Sequence, residues 1–503
     1  MTRTMPASDR LPHALYRAEQ VRALDRSAIE THGIPGLALM ERAGAAAFRL
    51  LRTRWPGVRR VAVLCGTGNN GGDGFVVARL ARTAGLEVTL LQLGDPERIR
   101  GDARTSLQAF RALGGESRPF DGLPRETELV VDGVFGTGLE REVSGRWRQA
   151  LEQVNRHPAP VLALDIPSGL HSDSGRALGV AVHAEATISF IGLKQGMFTG
   201  DGPAYCGEIR FDALAVPAVI YSREILAARR LDWAQQATRL SPRRRTAHKG
   251  DCGHLLVVGG DLGFSGAARL AAEAGARTGA GLVTLATRPE HAPLMNLQRP
   301  ELMCHGVDAP AQLEPLLQRA SVVAVGPGLG RGGWSRGLLE RVLATPLPLV
   351  VDADALNLLA ASPLKRDDWV LTPHPGEAAR LLGTSVAEIQ SDRFAAVVRL
   401  QQRYGGSVVL KGAGSLVLGP SRRPPGVCSD GNPGMASGGM GDLLTGIIGA
   451  FMAQGFEPEQ AAGLGVCLHA AAADRAAADG GERGLLASDL MPGIRRLVNP
   501  VAP

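Results

Sequence analysis

GNPGMASGGMGD, residues 431–442, runs directly into the apolar stretch LLTGIIGAFMAQG at 443–455. The second stretch has helical spacing, so a helix starting at about Gly439 to Asp442 is predicted. Glycines, lacking a Cβ, let backbone N–H groups turn inward and approach a ligand closely. The first turn of the helix aims its own unpaired N–H groups at the same point. Together they make an anion hole suited to phosphate. Asp442 would stand where a hydroxyl meets the terminal phosphoryl group, and a carboxylate there reads as a base in phosphoryl transfer. Alone, the pattern better fits a glycine turn with Asp442 as a helix cap. The rest of the chain favours the first reading.

Working outward, HLLVVGG, SGAARLAAEAGARTGA and GLVTLAT (254–287) read as strand, helix and strand. SVVAVGPGLG, PLVVDADAL, DWVLTPHPGE and SVVLKGAG repeat an apolar run that ends in a loop of Gly, Pro, Asp or His. The first half has the same theme in VRRVAVLCG, LEVTLLQLG, ELVVDGVFG and PVLALDIPSG, with helices expected at 15–30, 36–54 and 145–155. Short apolar strands alternating with helices imply parallel, doubly wound α/β sheets. A boundary is expected within 222–248, dividing the chain into domains at 1–225 and 226–503. The basic run SPRRRTAHKG there reads as a solvated linker, because no aromatic residues interleave with it.

Composition agrees with a globular protein. The 503 residues are 45% hydrophobic and 21% charged, and the net charge of +6 is too thin over this length to argue for nucleic acid. The six cysteines form no CxxC pair and match no zinc spacing, so reduced buried thiols of a cytoplasmic protein are expected. The N-terminus has no apolar signal core, and no uncharged apolar run reaches the length of a membrane span.

In the first half, GTGNNGGDG (66–74) sits between a strand and a helix, a phosphate-binding position in Rossmann-like folds. It has neither the dinucleotide GxGxxG spacing nor the GK[ST] of a P-loop. Its side-chain oxygens, with the loops VDGVFGTGLERE (131–142) and DIPSGLHSD (165–173), fall at strand C-termini and converge on one sheet edge. Asn70, Asp132 and Ser168 could meet there. One carboxylate among neutral oxygens suits a weakly held monovalent cation better than Mg²⁺ or Zn²⁺.

LMERAG, CGTGNNGGDG, VDGVFGTGL and DIPSG together resemble the epimerase domain of the NAD(P)H-hydrate repair enzymes over roughly residues 15–220. The resemblance implies K⁺ at Asn70, Asp132 and Ser168. It implies hydrate contacts from Asn69, Asn70, Gly71, Gly72 and Asp73, from Gly136, Thr137, Gly138, Leu139, Glu140, Arg141 and Glu142, and from Asp165. Asp165 and Lys194 become the candidates for acid–base work on the two epimers, although Gln195 replaces an expected proline beside Lys194; the alternative is that Lys194 is a surface cation.

In the second half, HKGDCGHLLVVGG, GPGLG, DADALN, TPHPGEAARLLG, KGAG and GNPGMASGGMGD occur in one order. They resemble the ADP/ATP-dependent NAD(P)H-hydrate dehydratase of the ribokinase-like superfamily, over about residues 240–500. The departure is Cys252, where a bulkier residue is expected. The resemblance implies that the ring hydroxyl of hydrated NADH or NADPH is phosphorylated and then eliminated, with ADP or ATP as co-substrate and Mg²⁺ without assigned ligands. Asp442 takes the hydroxyl proton, and its helix position is expected to lower its pKa and keep it ionised. The amides of Gly438, Gly439, Met440 and Gly441 stabilise the transferring group. Lys411, Gly412, Ala413, Gly414 and Ser415 cradle the nucleotide; for Lys411 the alternative is a solvated strand-end lysine. Ala267, Gly328, Gly330 and His374 hold the hydrate. Besides these small molecules, further copies of the chain are the expected partners. The competing readings are a small-molecule kinase with a Rossmann-like regulatory domain, and a nucleotide-sensing scaffold without turnover.

Overall fold

The computed structural model describes residues 11–499. The chain divides into two compact units, with the break between Arg229 and Arg230.

The first unit is built on a seven-stranded parallel sheet. From edge to edge it runs Ser117–Pro119, Glu87–Gln92, Arg60–Cys65, Leu129–Gly133, Val161–Leu164, Ala186–Phe190 and Glu208–Asp212. Alternate residues of Arg60–Cys65 point to opposite faces. Val61, Val63 and Cys65 join one core with Phe75, Val76 and Leu107, whereas Ala62 and Leu64 join another with Ala150, Leu151 and Val154. Helices Asn69–Thr83 and Gly101–Ala112 therefore cover one face and Gly145–Arg156 the other. Burial on both faces is why these strands read as continuous apolar runs.

The helix expected at 15–30 is shorter than that. Ala14–Tyr16 is a strand, and helix follows over Ala18–Arg26 with a π turn at Ser27–Thr31. Leu15 and Tyr16 pair in parallel with Leu193 and Lys194, a partner far away in the chain that no local pattern announces. The second predicted helix forms as Gly36–Arg54.

The second unit carries its strands in the order Met303–Gly306, Leu282–Thr287, His254–Val258, Val322–Val325, Leu349–Val351, Trp369–Leu371, Ser407–Leu410, Leu416–Leu418 and Gly426–Cys428. The first seven are parallel, and Leu416–Leu418 pairs antiparallel with both of its neighbours, Ser407–Leu410 and Gly426–Cys428. The helix Met440–Ala453 is buried along almost its whole length, which explains why its sequence is apolar all round. Gly446 faces the carbonyl of Ala271 so closely that a Cβ would lie 1.9 Å from it. Glycine there brings Met440–Ala453 against the helix Ser265–Thr278. The run 241–250 is exposed throughout and lies inside this second unit. No helix among the described residues is long and apolar enough to cross a membrane.

Candidate functional site

In the first unit, Asp132 lies one residue before the end of the strand Leu129–Gly133 and is buried. Ser168 donates to it twice, from Oγ at 2.6 Å and from the backbone N at 2.8 Å. Ser168 Oγ in turn accepts the N–H of Phe135 at 2.8 Å. Asn70, in the first turn of Asn69–Thr83, donates Nδ2 to the carbonyl of Phe135 at 2.9 Å. The three predicted oxygens thus meet around the 133–135 loop. Asn70 Oδ1 is buried with no hydrogen-bond partner, which leaves one oxygen lone-pair set facing inward unanswered. Burial pushes the Asp132 carboxyl upward despite the Ser168 and Val134 donors.

Asp165 follows the strand Val161–Leu164 in the left-handed region, at φ 66°. Its Oδ1 is in contact with Lys194 Nζ, which also donates to Ser189 Oγ at 2.9 Å. Lys194 is fully buried, so the alternative of a surface cation is overturned. Its strand pairing with Tyr16 carries it inside. Gln195 is buried too and donates to the carbonyl of Asp173 at 2.8 Å. A Cβ on Gly136 would lie 3.4 Å from Asn70 Cβ and 3.6 Å from Asp165 Oδ2. That glycine therefore joins the oxygen cluster to the Asp165–Lys194 pair, and Thr137 beside it is half-buried. Gly71 and Gly72 are buried in the Asn69–Thr83 helix, whereas Asn69, Gly138, Glu140, Arg141 and Glu142 are exposed. Leu139 turns its side chain into the core with Val134 and Val143.

One residue of this neighbourhood escaped the sequence reading. Asp25, on helix Ala18–Arg26, has its carboxyl pushed up to about 6 by burial and by Asp165, with Lys194 pulling the other way. Asp73 is raised by burial and then by Asp165 and Asp25. Three carboxylates thus share one buried ammonium. The available signal was position: Asp25 stands four residues after Val21 and next to Leu24, on the stripe that the helix buries.

In the second unit, Gly439 begins the late helix at φ 89°, where a Cβ would lie 2.7 Å from Leu270 Cδ1. Asp442 falls in the first turn and is largely buried. The expectation of a lowered pKa is corrected here. Burial raises the Asp442 carboxyl to about 7, Asp352 and Asp354 add to the rise, and Lys411 only partly offsets it. Two neighbouring carboxylates and lost hydration outweigh a helix terminus, whose influence is about 0.3–1 kcal/mol when exposed and about 2 kcal/mol at most.

Lys411 is not a solvated lysine. Its Nζ donates to Asp352 Oδ1 at 2.6 Å and lies 3.8 Å from Glu377 Oε2. Burial alone would lower this ammonium, but Asp352 and Glu377 win and hold it above its usual value. Glu377 itself is raised to about 7, by burial above all. His374 caps the helix Pro375–Leu382: its Nδ1 accepts the N–H of Gly376 at 2.9 Å, so the neutral ring carries its proton on Nε2. Burial, then Lys411, push His374 below its ordinary value. Gly412 and Ala413 are exposed in a turn where the Gly412 N–H reaches Ser415 Oγ at 3.3 Å, with Gly414 at φ 62°.

Gly328 and Gly330 both have positive φ, and a Cβ on Gly328 would lie 2.4 Å from the carbonyl of Phe264 and 3.1 Å from Ala267 Cβ. Ala267 therefore stands against the GPGLG turn. Gly330 donates to Asp354 Oδ2 at 3.0 Å, which ties that turn to the DADALN segment. Asp352, Asp354 and Glu377 are the residues the motif reading left without a part. Each falls at the carboxyl end of a parallel strand or just beyond it, the edge on which α/β sheets bind ligands.

Two family models match the chain: one described as NAD(P)H-hydrate dehydratase over residues 255–496, the other as YjeF-related protein N-terminus over 36–196. The bifunctional NAD(P)H-hydrate repair enzyme Nnr of Coxiella burnetii is 51% identical over 487 residues, covering 97% of this chain and 99% of that one. The chain belongs to the bifunctional NAD(P)H-hydrate repair enzymes. The Escherichia coli K12 repair enzyme Nnr is 46% identical and covers 97% of the chain and 95% of its own length. A ribokinase-like superfamily protein from Enterococcus faecalis V583 superposes on the chain with a TM-score of 0.51 at 27% identity, covering 55% of this chain and 96% of that one. The repair enzyme is thus an α/β protein with an epimerase-type first half and a ribokinase-like dehydratase second half. The kinase-with-regulator and sensing-scaffold readings give way to it.

Proposed function

We propose that the two clusters are the two active sites of this repair enzyme, the epimerase within 1–225 and the dehydratase within 226–503. The observation that carries the dehydratase reading is Asp442: a carboxylate poised near neutral pH, in the first turn of a helix entered through glycines. A base works best when its proton affinity lies near the operating pH. In this reading Asp442 accepts the proton of the C6 hydroxyl as that oxygen attacks the terminal phosphorus of ADP. The O–P bond forms, AMP leaves, and the phosphorylated S hydrate then expels phosphate to restore NADH or NADPH. The backbone N–H groups from Gly438 to Gly441 face the transferring group. The 411–415 turn holds the nucleotide, while Ala267, Gly328, Gly330 and His374 hold the hydrate. Mg²⁺, bound together with the nucleotide, would supply charge neutralisation for phosphoryl transfer, and no side chain is assigned to it. ATP is the alternative donor, releasing ADP.

In the first half, K⁺ is proposed at Asn70, Asp132 and Ser168. The unpartnered Asn70 Oδ1 beside one buried carboxylate fits a large monovalent cation, whose charge would fix the loops that face the hydrate. Contacts to the hydrate come from 69–73, 136–142 and Asp165, and the Asp165–Lys194 pair supplies the acid and base that interconvert the R and S epimers. Residence in the cytoplasm, supported by six free thiols, and assembly as a homo-oligomer complete the proposal.

The test is recovery of reduced-nicotinamide absorbance from hydrate plus ADP. Asp442→Asn is expected to lose at least about 100-fold in turnover, the scale of general base catalysis, while ADP binding by calorimetry stays close to the parent. Turnover of that variant at the parental rate would remove Asp442 as the base.

A further inference from the structure

Asp352 is 1% exposed and has both carboxylate oxygens engaged. Oδ1 accepts Lys411 Nζ at 2.6 Å, and Oδ2 accepts Thr445 Oγ1 at 2.8 Å. Thr445 lies one turn along the same helix as Asp442 and also donates to the carbonyl of Gly441 at 3.1 Å. A Cβ on Gly441 would stand 3.3 Å from Lys411 Nζ and 3.6 Å from Asp352 Oδ2, so both charges abut the turn that carries Asp442. The residue after Asp352, Ala353, has φ 48°, a left-handed conformation that a non-glycine residue holds only when its surroundings dictate it. An ammonium this close to Asp442 would, if unclaimed, form an ion pair with it, and an ion-paired carboxylate is a poor base.

We propose that Asp352 is a positioning residue of the dehydratase: anchored to the helix by Thr445, it claims Lys411 in an ion pair and so leaves Asp442 available to accept a proton. This rests on the reading of Asp442 as the base. The charges facing Asp442 are Asp352 and Asp354 from the start of helix Ala353–Ala361, Lys411 after strand Ser407–Leu410, and, through Lys411, Glu377 and His374 of helix Pro375–Leu382 and His469 of Pro458–Gly480. Their sum, with burial, holds Asp442 near 7, with Asp352 raising it and Lys411 lowering it. The two charges therefore have opposite signatures.

The experiment measures kcat for NADH recovery at saturating ADP in the full-length protein, from about pH 5.5 to about pH 9, where the base limb falls. In Asp352→Asn the acid limb moves down by about one pH unit or more, because one repelling charge is gone and Lys411 turns to Asp442. The plateau falls about tenfold, the cost of a base weakened in this way. In Lys411→Met the limb moves up by a comparable amount. A residue that merely supports the fold would lower the rate without moving the limb in charge-dependent directions. Limbs that stay at the parental midpoint, or that shift the same way in both variants, overturn the proposal; if Asp352→Asn does not fold, an unmoved limb in Lys411→Met does so alone. Asp442→Asn, measured alongside, separates the two levels. If it is inactive while the limbs do not move, only the role of Asp352 falls; if it turns over normally, the base assignment falls first.

Discussion

Asp442, the proposed base, would trade stability for reactivity at a single residue. Its carboxyl binds a proton more tightly in the folded chain, near 7, than the ordinary value of 3.8. Between those values the native state holds more protons than the unfolded one, so stability falls as pH rises through that window. Asn carries no charge to bury. Asp442→Asn is therefore expected to melt a few degrees above the parent at pH 8 and level with it near pH 4, as read by thermal unfolding. The Asp165–Lys194 pair behaves in the opposite way. Removing Lys194, which is fully buried, strands Asp165 without its ammonium. Lys194→Met is expected to destabilise by about 3 kcal/mol, and the double variant with Asp165→Asn by clearly less, because breaking a buried pair costs more than replacing it. Equal losses in single and double variants, in a denaturant titration, would contradict the pairing.

At the scale of the element, the helix Met440–Ala453 does two jobs with one sequence. Its first turn faces the proposed site, and its body packs so closely on Ser265–Thr278 that Gly446 meets a carbonyl, while Gly449 meets Leu255 of the strand His254–Val258. Glycine costs a helix interior up to about 1 kcal/mol relative to alanine. Here the close approach wins, since a Cβ on Gly446 would lie 1.9 Å from Ala271 O. Gly446→Ala is expected to lower stability by about 2 kcal/mol, the range of core overpacking, despite the better propensity. A melting temperature at or above the parental one would show that the two helices can separate without cost. Gly439, at φ 89° with Leu270 in the way, is constrained twice over. Its replacement would distort the entry to the proposed anion hole as well as the packing.

For the whole molecule, the two chemistries are proposed for two compact units of the chain. Each site can then be silenced alone. Given a mixture of R and S hydrates, Asp132→Ala is expected to restore NADH only from the S fraction and then stall, while Asp442→Asn restores none. Addition of the second variant to the stalled first one should carry the reaction to completion. A stalled mixture that stays stalled, with both proteins folded, would mean that the Asp132 loop does not serve epimerisation.

Much of this was written in local pattern. Apolar runs buried on both faces announced the parallel strands, and the glycine-rich run before the late apolar stretch announced the start of the helix Met440–Ala453. These follow from periodicity and backbone freedom, which are properties of neighbouring residues. Protonation was not legible in the same way. The sequence placed Asp442 at a helix start and predicted a low pKa, but Asp352, 90 positions earlier, and Lys411 reverse that in the fold. Lys194 was open to a surface role until the pairing of Leu15 and Tyr16 with Leu193 and Lys194 carried it inside. Asp25 reached the Asp165 cluster in the same manner. Charge and burial are sums over everything within a few ångströms, and only the tertiary structure says which distant residues those are.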